Sequence, residues 1–284
     1  MELLDGKLVA AITESMVRFN LETLKEETGR TPKLVVLLVG DDSASHVYVR
    51  QKEKACQRVG IESVIQRYPT STTEINLILE IEKLNQDPTV NGILVQLPLP
   101  SHIHTSSILC AIDPAKDVDG FHPINVGKLS LGLPHLTPCT ADGIIDLLIY
   151  YIDRLKGLHA VIIGRSDIVG KPLAQLLLKQ NVTVTICHSK SNDLAAHTRL
   201  ADLVIVAAGQ KHLLTGEMIK EGAIVVDVGI HREPDGHLVG DVDFNSVAPK
   251  ASFISPVPGG VGPMTIASLM KNVWMASYRA FKKE

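Results

Sequence analysis

The sequence is poor in three features that would point to particular protein classes: paired cysteines, an excess of one charge, and long apolar runs. Its four cysteines are scattered over 284 residues, with no C-x-x-C pair and no metal-ligand spacing. This pattern argues against a disulfide framework and a zinc site, and it is typical of a reducing compartment. We therefore expect a cytoplasmic location and no bound metal. The cysteines are Cys56, Cys110, Cys139 and Cys187.

Charge and hydropathy exclude two classes of macromolecular partner. The 28 Lys and Arg residues nearly balance the 31 Asp and Glu residues, so no global field attracts nucleic acid or an anionic membrane. No apolar run reaches membrane-spanning length, and the charged N-terminal segment is unlike a signal peptide. Since 45% of the residues are hydrophobic, the chain can bury a sizeable core. We expect small-molecule partners, with no nucleic acid and no membrane.

Hydrophobic periodicity predicts an α/β fold. In the first half, short runs rich in β-branched residues alternate with amphipathic segments, as in parallel sheets with crossover helices. Strands apolar on both faces, as buried parallel strands are, are predicted at 33–40, 62–68 and 92–97. Helices are predicted near 43–59 and 72–86.

The same pattern restarts in the second half. A Pro- and Gly-bearing stretch at 113–143 is too long and irregular for a simple connection, which indicates a functional or interdomain segment. We predict two α/β domains: 1–139, completed by a returning C-terminal helix at 265–284, and a second α/β domain at 140–264. Its elements are a helix at about 141–153 and strands at 159–164, 182–187, 202–208 and 223–228.

A glycine turn at Gly164 predicts a dinucleotide site, which would make 140–264 a Rossmann-like dinucleotide-binding domain. The turn G-R-S-D-I-V-G-K-P lies between a strand and a helix expected to begin at about Pro172, where backbone amides and the helix dipole can receive a pyrophosphate. The G-x-G-x-x-G fingerprint is absent, because Ser166 and Val169 occupy its second and third glycine positions. A tight turn formed for packing alone is the alternative at this point.

The following strand favours NADP over NAD. NAD sites normally place a carboxylate about 20 residues further on, where it accepts hydrogen bonds from the ribose. Here the strand ends in Cys187-His-Ser-Lys, without a carboxylate. Together with Arg165, Ser189 would form a cationic, hydroxyl-rich pocket for a 2′-phosphate.

A helix in the first half has the pattern of a lysine-centred site. Ser45, Tyr48 and Lys52 share one helix face, whereas Lys54 points elsewhere. Tyrosine can stack on a flat ring while the lysine amine transfers protons, provided that part of the amine is neutral. A solvated basic helix is the alternative. Short-chain dehydrogenases also contain Y-x-x-x-K, but their glycine loop precedes the tyrosine, whereas here it follows.

Taken in order, the motifs closely resemble one family over essentially the whole chain. That family is the bifunctional methylenetetrahydrofolate dehydrogenase/cyclohydrolase. One departure is Ala141-Asp142, where members often have proline. The strings are Y-x-x-x-K-x-K at 48–54, G-I-L-V-Q-L-P-L-P at 92–100, K-D-V-D-G-F-H at 116–122, T-P-C-T at 137–140, G-R-S-x-x-V-G-x-P at 164–172, V-D-V-G-I at 226–230, G-D-V-D at 240–243 and P-V-P-G-G-V-G-P-M-T at 256–265.

The resemblance implies a set of site residues. Lys52 and Tyr48 would be catalytic, with Gln96 orienting the lysine and Asp119 pairing with the amino-pyrimidinone edge of a pterin. The alternatives are a polar strand cap for Gln96 and a loop-capping role for Asp119, to which Asp117 and Asp113 are better suited. The implied cofactor residues are Gly164, Arg165, Ser166, Ser189 and Ile230, and the implied substrate residues are Tyr48, Asp119, Pro258, Gly259 and Gly260.

Three further assignments follow from the residues and the resemblance. His122 and His188 are expected to be structural, because a lone histidine usually is. The glycine-rich segment 258–262 lets backbone approach a ligand closely and by resemblance borders both nicotinamide and folate; a plain hinge is compatible with that role.

The resemblance implies two activities in a homodimer: oxidation of 5,10-methylenetetrahydrofolate by hydride transfer to NADP, and hydrolysis of the methenyl product to 10-formyltetrahydrofolate. The rings of cofactor and folate would be aligned in an interdomain cleft. The alternatives are a monofunctional or NAD-using dehydrogenase, and a non-catalytic NADP-binding regulatory protein.

Overall fold

The computed structural model describes residues 1–133 and 136–282, without the side chains of residues 43 and 44. This part of the chain divides into two compact units. The first-half unit comprises Ala11–Cys139 and the chain from Ile266 onward; the second-half unit comprises Met1–Ala10 and Thr140–Thr265. The expected domain ranges placed the first ten residues with the first half, whereas a short N-terminal strand pairs with a strand of the second half.

Strands and helices alternate over most of the described chain, as the periodicity predicts. The strands are β1 (Glu2–Leu3), β2 (Lys33–Val39), β3 (Glu62–Tyr68), β4 (Gly92–Val95), β5 (His159–Ile163), β6 (Thr183–Cys187), β7 (Leu203–Val206), β8 (Ile224–Asp227), β9 (His231–Arg232), β10 (Leu238–Val239) and β11 (Phe253–Ile254). The helices are α1 (Gly6–Thr28), α2 (Ser43–Val59), α3 (Glu74–Gln86), α4 (Thr105–Ala111), α5 (Pro123–Ser130), α6 (Cys139–Tyr151), α7 (Gly170–Lys179), α8 (Leu194–Thr198), α9 (Phe244–Val247) and α10 (Val261–Phe281), with a 3-10 turn at Gly216–Met218.

The first-half unit is built on a three-stranded parallel sheet in the order β3-β2-β4. The central strand β2 is apolar on both faces, so it separates two cores. Leu34, Val36 and Leu38 belong to one core, and the intervening residues Val35 and Leu37 belong to the other. The edge strand β3 differs from the expectation, since its residues are only partly buried or exposed. Gln96, directly after β4, lies at the carboxyl edge of this sheet.

The second-half unit contains a six-stranded sheet in the order β1-β11-β8-β7-β5-β6, with every pair parallel. The strands β5, β7 and β8 have nearly continuous Val and Ile, and almost all of their residues are buried, as in strands covered on both faces. Their carboxyl ends lie side by side: Ile163 pairs with Val206, and Val206 pairs with Asp227. Ligands of open α/β sheets bind beyond such ends.

Several boundaries depart from the predictions for local reasons. The stretch 113–143 is not irregular throughout, because His122 Nδ1 accepts the amide of Ile124 at 3.1 Å and Pro123 starts α5. Helix α10 begins at Val261, four residues earlier than expected, since Gly262 and Pro263 are tolerated in a first turn. Residues 283 and 284 of that predicted helix lie outside the described residues. Among the described helices, none is both long and apolar enough to cross a membrane.

Candidate functional site

The lysine-bearing helix α2 begins with a well-defined cap. The Asp42 carboxylate accepts hydrogen bonds from the amide of Ser45 at 2.7 Å and from its hydroxyl at 2.8 Å. An aspartate at this position satisfies amides that have no partner within the helix. Ser45, which shares a face with Tyr48 and Lys52, is therefore buried in the cap, and the helix start is fixed two turns before the lysine.

Lys52 and Gln96 form the centre of the candidate site. The lysine is 9% exposed, and its Nζ donates to Gln96 Oε1 at 3.0 Å. Gln96 Nε2 donates to the carbonyl of Leu97 at 2.7 Å, which turns the amide oxygen toward the lysine. In the described part of the chain no carboxylate lies within salt-bridge distance of Lys52 Nζ. The amine therefore has a neutral partner in a largely buried setting.

Asp119 lies in the same unit and responds to the charge of the lysine. Burial raises the pKa of this carboxyl to about 6, although the positive charge of Lys52 lowers it; the neighbouring Asp117 raises it further. The carboxyl is half-buried, so its oxygens can still reach a ligand. Lys52, Gln96 and Asp119 are thus brought together by the fold across 68 residues of sequence.

The loop that carries Asp119 is held by its neighbours. Asp117 accepts from the amides of Gly120 at 3.2 Å and His122 at 2.8 Å, and from Asn125 Nδ2 at 2.9 Å. Asp113 accepts from the amide of Ala115 at 2.8 Å. The structure therefore gives Asp117 and Asp113 the loop-capping role that the sequence suggested for them.

A residue of α10 that the sequence reasoning missed also holds this loop. Asn272, 1% exposed, donates from Nδ2 to the carbonyl of Val118 at 2.8 Å and to that of Thr137 at 2.7 Å. Cys139 Sγ donates to the same Val118 carbonyl at 3.3 Å. Only the position of an amide on the apolar face of a core helix could have indicated this role, because buried polar groups need partners.

Tyr48 lies one turn before Lys52 on α2, and it is half-buried. Burial raises the pKa of its phenol, so the ring is neutral over the physiological range. Lys54, by contrast, is exposed, as the helix spacing predicts. His122 is buried as the cap of α5, and His188 Nδ1 accepts the amide of Lys190 at 3.1 Å, so both histidines have structural partners.

The glycine turn of the second-half unit requires glycine at Gly164. Its φ is 130°, and a Cβ there would lie 2.2 Å from the carbonyl oxygen of Ala207. Ser166 Oγ accepts from the amides of Val169 at 3.2 Å and Gly170 at 3.4 Å. Helix α7 starts at Gly170, not at the expected Pro172. The side chain of its N-cap residue, Val169, cannot accept a hydrogen bond, and the Ser166 hydroxyl accepts the first amides instead. The turn remains a strand-to-helix connection at the carboxyl edge of the sheet.

The end of β6 fits a phosphate better than a ribose diol. Ser189 is exposed, as is Arg165 at the end of the neighbouring strand β5, although no direct hydrogen bond joins the two in the described chain. The first carboxylate after β6, Asp193, accepts the amide of Ala196 at 3.0 Å and caps α8. This carboxylate is engaged locally, so the exposed groups are hydroxyls and cations.

The remaining candidates lie on two nearby segments of this unit. Ile230 is 45% exposed after β8, and a Cβ at Gly262 would lie 3.9 Å from its Cδ1. Pro258 is exposed, whereas Gly259 and Gly260 are buried. A Cβ at Gly260 would lie 2.7 Å from the carbonyl oxygen of Pro256. The glycines therefore keep this segment tightly folded beside Ile230.

Comparison with known proteins gives matches over nearly the whole chain. Residues 4–119 match the catalytic domain of the tetrahydrofolate dehydrogenase/cyclohydrolase family, and residues 138–281 match its NAD(P)-binding domain. The bifunctional protein FolD of Nautilia profundicola is 51% identical over 100% of this chain and 99% of its own.

Solved structures agree with these matches. The bifunctional enzyme FolD, methylenetetrahydrofolate dehydrogenase/cyclohydrolase, of Campylobacter jejuni has a TM-score of 0.96 at 51% identity, over 98% of this chain and 99% of that one. The Trypanosoma brucei methylenetetrahydrofolate dehydrogenase-cyclohydrolase, complexed with NADP and an inhibitor, has a TM-score of 0.92 at 38% identity. This match covers 98% of this chain and 96% of that one.

Proposed function

The chain belongs to the tetrahydrofolate dehydrogenase/cyclohydrolase family, and we propose on that premise that it catalyses both reactions. It oxidises 5,10-methylenetetrahydrofolate to 5,10-methenyltetrahydrofolate with NADP, and then hydrolyses the product to 10-formyltetrahydrofolate. The observation that carries the proposal is the buried hydrogen bond between Lys52 and Gln96 near Asp119. This arrangement gives a proton-transferring amine next to a carboxylate suited to a pterin.

Asp119 and Tyr48 hold the folate. The two carboxylate oxygens of Asp119 accept from the two adjacent N–H groups on the pyrimidinone edge, a charge-assisted pairing. Since its pKa is about 6, the carboxyl is mostly ionised at neutral pH. The half-buried ring of Tyr48 stacks on the pterin. Together these residues fix the reacting carbon relative to Lys52.

Lys52 moves the protons of the hydrolysis. As water attacks the methenyl carbon, the neutral amine accepts the proton that the water loses. The resulting ammonium then donates a proton to the ring nitrogen as its bond to that carbon breaks. The hydroxyl proton of the intermediate goes to solvent as the formyl carbonyl forms. Gln96 holds the amine in place for both transfers, because its amide oxygen accepts a hydrogen bond from Lys52 Nζ.

The second-half unit binds NADP. Gly164 and Ser166 bring backbone amides and a hydroxyl to the pyrophosphate, Arg165 and Ser189 hold the 2′-phosphate, and Ile230 packs against the nicotinamide. Pro258, Gly259 and Gly260 supply close backbone beside the nicotinamide. When bound, NADP is the hydride acceptor.

Two alternatives are less well supported. A monofunctional or NAD-using dehydrogenase would not need the Lys52–Gln96 pair, and the end of β6 offers no free carboxylate for a ribose diol. A non-catalytic NADP-binding protein would have no use for a buried lysine beside a carboxyl whose pKa is raised to about 6.

Two assays separate these possibilities. Reduction of NADP is followed at the nicotinamide absorbance with and without methylenetetrahydrofolate, and again with NAD in place of NADP. Hydrolysis is followed separately by loss of methenyltetrahydrofolate absorbance without a dinucleotide. We expect folate-dependent turnover with NADP and hydrolysis in the second assay. Absence of hydrolysis would reduce the protein to a dehydrogenase, and absence of both would leave only binding.

Location and assembly complete the proposal. We place the enzyme in the cytoplasm as a homodimer. Cys56, Cys139 and Cys187 are buried and form no disulfide bonds, which suits a reducing compartment. Sedimentation velocity of the purified chain tests the dimer, since a single species at the monomer mass of 30.8 kDa would contradict it.

A further inference from the structure

Two aspartates in the second-half unit are buried but have no part in the chemistry above. Asp227 ends β8 in the string V-D-V-G-I, and Asp241 lies in the string G-D-V-D. They are 4% and 0% exposed. Burying two carboxylates side by side costs free energy, and apolar residues of similar size would serve packing alone at least as well. Their hydrogen bonds therefore need a reason other than a filled core.

Asp227 holds the segment that carries the second aspartate. Its Oδ1 accepts from the amides of Gly229 at 3.0 Å and Asp241 at 2.9 Å, and its Oδ2 accepts from the amide of Val242 at 2.9 Å. Burial raises the pKa of Asp227 to about 6, with the charge of Asp241 contributing in the same direction. The carboxylate thus fixes the backbone on both sides of Asp241.

Asp241 in turn joins two other segments. Its Oδ2 accepts from the amides of Ala208 at 2.7 Å and Gly209 at 2.8 Å, in the loop after β7. Its Oδ1 lies 2.7 Å from His231 Nε2, at the start of the hairpin β9–β10. One carboxylate therefore connects the loop after β7 with the segment after β8.

Two glycines leave the space for these carboxylates. A Cβ at Gly240 would lie 1.8 Å from Asp227 Oδ2, and one at Gly229 would lie 2.3 Å from Asp241 Oδ1. Asp227 thus lies against Gly240, the residue before Asp241. Asp241 lies against Gly229, two residues after Asp227. A side chain at either glycine would therefore push the two strings apart.

The joined segments adjoin the candidate cofactor residues. Ala207, directly before the amides that Asp241 holds, contacts the turn at Gly164 so closely that only glycine fits. Ile230 lies between Gly229, held by Asp227, and His231, held by Asp241. The network therefore runs from the glycine turn to the residue assigned to the nicotinamide.

We propose that Asp241, fixed by Asp227, is a positioning residue for the dinucleotide: it sets the loop after β7 and Ile230 relative to the Gly164 turn. This inference rests on the proposed NADP site. Asp241 acts through the backbone and His231 and touches neither substrate nor cofactor. Its loss should therefore impair cofactor binding and hydride transfer but leave methenyl hydrolysis, which uses no dinucleotide, nearly unchanged.

The test compares four variants of the full chain. Asp241→Ala removes all three contacts, Asp241→Asn keeps an oxygen for the two amides, and His231→Ala removes only the ring. His237→Ala is the matched control, because His237 lies in the same hairpin but its side chain is exposed and its ring pairs with the exposed Asp235. NADP affinity is measured by calorimetry, both activities by absorbance, and folding by thermal unfolding.

We expect Asp241→Ala to weaken NADP binding about tenfold or more, the loss of hydrogen bonds to a charged group, with hydrolysis within about twofold of the wild type. Asp241→Asn should recover most of the affinity, His231→Ala should lie between, and His237→Ala should match the wild type. Unchanged NADP affinity in Asp241→Ala would overturn the inference. So would an equal loss of hydrolysis and NADP binding, or an Asn variant as impaired as Ala. If the wild type itself binds no NADP, the proposed function fails instead.

Discussion

The two candidate sites of this chain are built in opposite ways. In the first-half unit, the site consists of buried or half-buried side chains: Lys52 is hydrogen-bonded to Gln96, and its charge acts on Asp119. In the second-half unit, the candidate ligand contacts come from backbone at Gly164 and from the exposed side chains of Arg165 and Ser189. One unit shields its functional groups from water, and the other displays them.

The difference follows from what each site must do. Proton transfer at neutral pH depends on groups whose charge is not fixed by water, so burial and a neutral partner are needed around the amine. Binding a phosphate requires only that amides and cations face it, and exposure costs such a site little. Variants in the first site should therefore change rates most, and variants in the second should change affinity and coenzyme choice.

The largest expected effect belongs to Lys52. Lys52→Met keeps the length and the apolar stem of the side chain but deletes the amine. Methenyl hydrolysis should fall by about 10²-fold or more, the usual scale of general acid–base catalysis. The dehydrogenase rate should fall less, because hydride passes directly between the substrate and cofactor carbons and needs no protein proton.

Lys54→Met is the matched control for this variant, because Lys54 lies on the same helix and is exposed. Its two activities should stay near those of the wild type. If Lys52→Met hydrolysed methenyltetrahydrofolate at close to the wild-type rate, the lysine would be an ordinary helix residue and the contrast between the two sites would disappear.

Asp119 should give the next largest effect, and on both reactions. Asp119→Ala removes the two acceptor oxygens for the pterin, and each charge-assisted bond contributes about 1.5–3 kcal/mol. The KM for folate should rise in both assays, while NADP affinity measured by calorimetry stays the same. In the wild type, the folate KM should also rise as pH falls below about 6, where the carboxyl binds a proton. Normal folate affinity in the variant would place the pterin elsewhere.

The two sites also differ in how much of each could be predicted from the sequence. The glycine turn and the end of β6 are local strings, so Gly164, Arg165 and Ser189 could be named from periodicity and turn chemistry, whereas Ile230 was implied only by the resemblance. Lys52 and Gln96 are 44 residues apart, and their hydrogen bond depends on the pairing of β2 with β4. A Y-x-x-x-K helix alone did not predict that contact; the resemblance of the whole chain did.

The missed elements share a physical cause. Helix α5 is capped by a histidine ring, and α10 starts inside a glycine-rich string, so neither is preceded by the usual Ser, Thr, Asp or Asn cap. Asn272 holds the Asp119 loop through bonds to carbonyls more than 130 residues away along the chain. Such contacts are set by tertiary packing, which periodicity does not encode.

Arg165 tests the exposed site. Arg165→Ala should weaken the binding of NADP by about 1.5–3 kcal/mol, the contribution of a charge-assisted hydrogen bond. The binding of NAD should be almost unaffected. Lys179→Ala, at the other end of α7 and also exposed, controls for the general loss of a positive charge. Kd values for both dinucleotides decide the matter. Equal losses for NADP and NAD would show that Arg165 does not read the 2′-phosphate.

The smallest expected effect concerns stability: it tests whether the partly buried carboxylate of the first site destabilises the fold. The Asp119 carboxyl has a pKa of about 6 when folded and 3.8 as its ordinary value, so the folded chain binds this proton more tightly. The free energy of unfolding therefore decreases as pH rises from about 4 to about 6, because the carboxyl loses its proton less readily in the folded chain. Above that range the ionised carboxylate destabilises the fold by a constant amount. Asp119→Asn removes the penalty, and because the carboxyl is half-buried we expect a gain of only about 1 kcal/mol at pH 8, with little difference at pH 4. Thermal unfolding of both proteins at the two pH values measures this, with exposed Asp41→Asn as the control. A variant less stable than the wild type at pH 8 would mean that the carboxylate supports the fold, whereas the predicted gain would show that the site keeps a destabilising charge for its substrate.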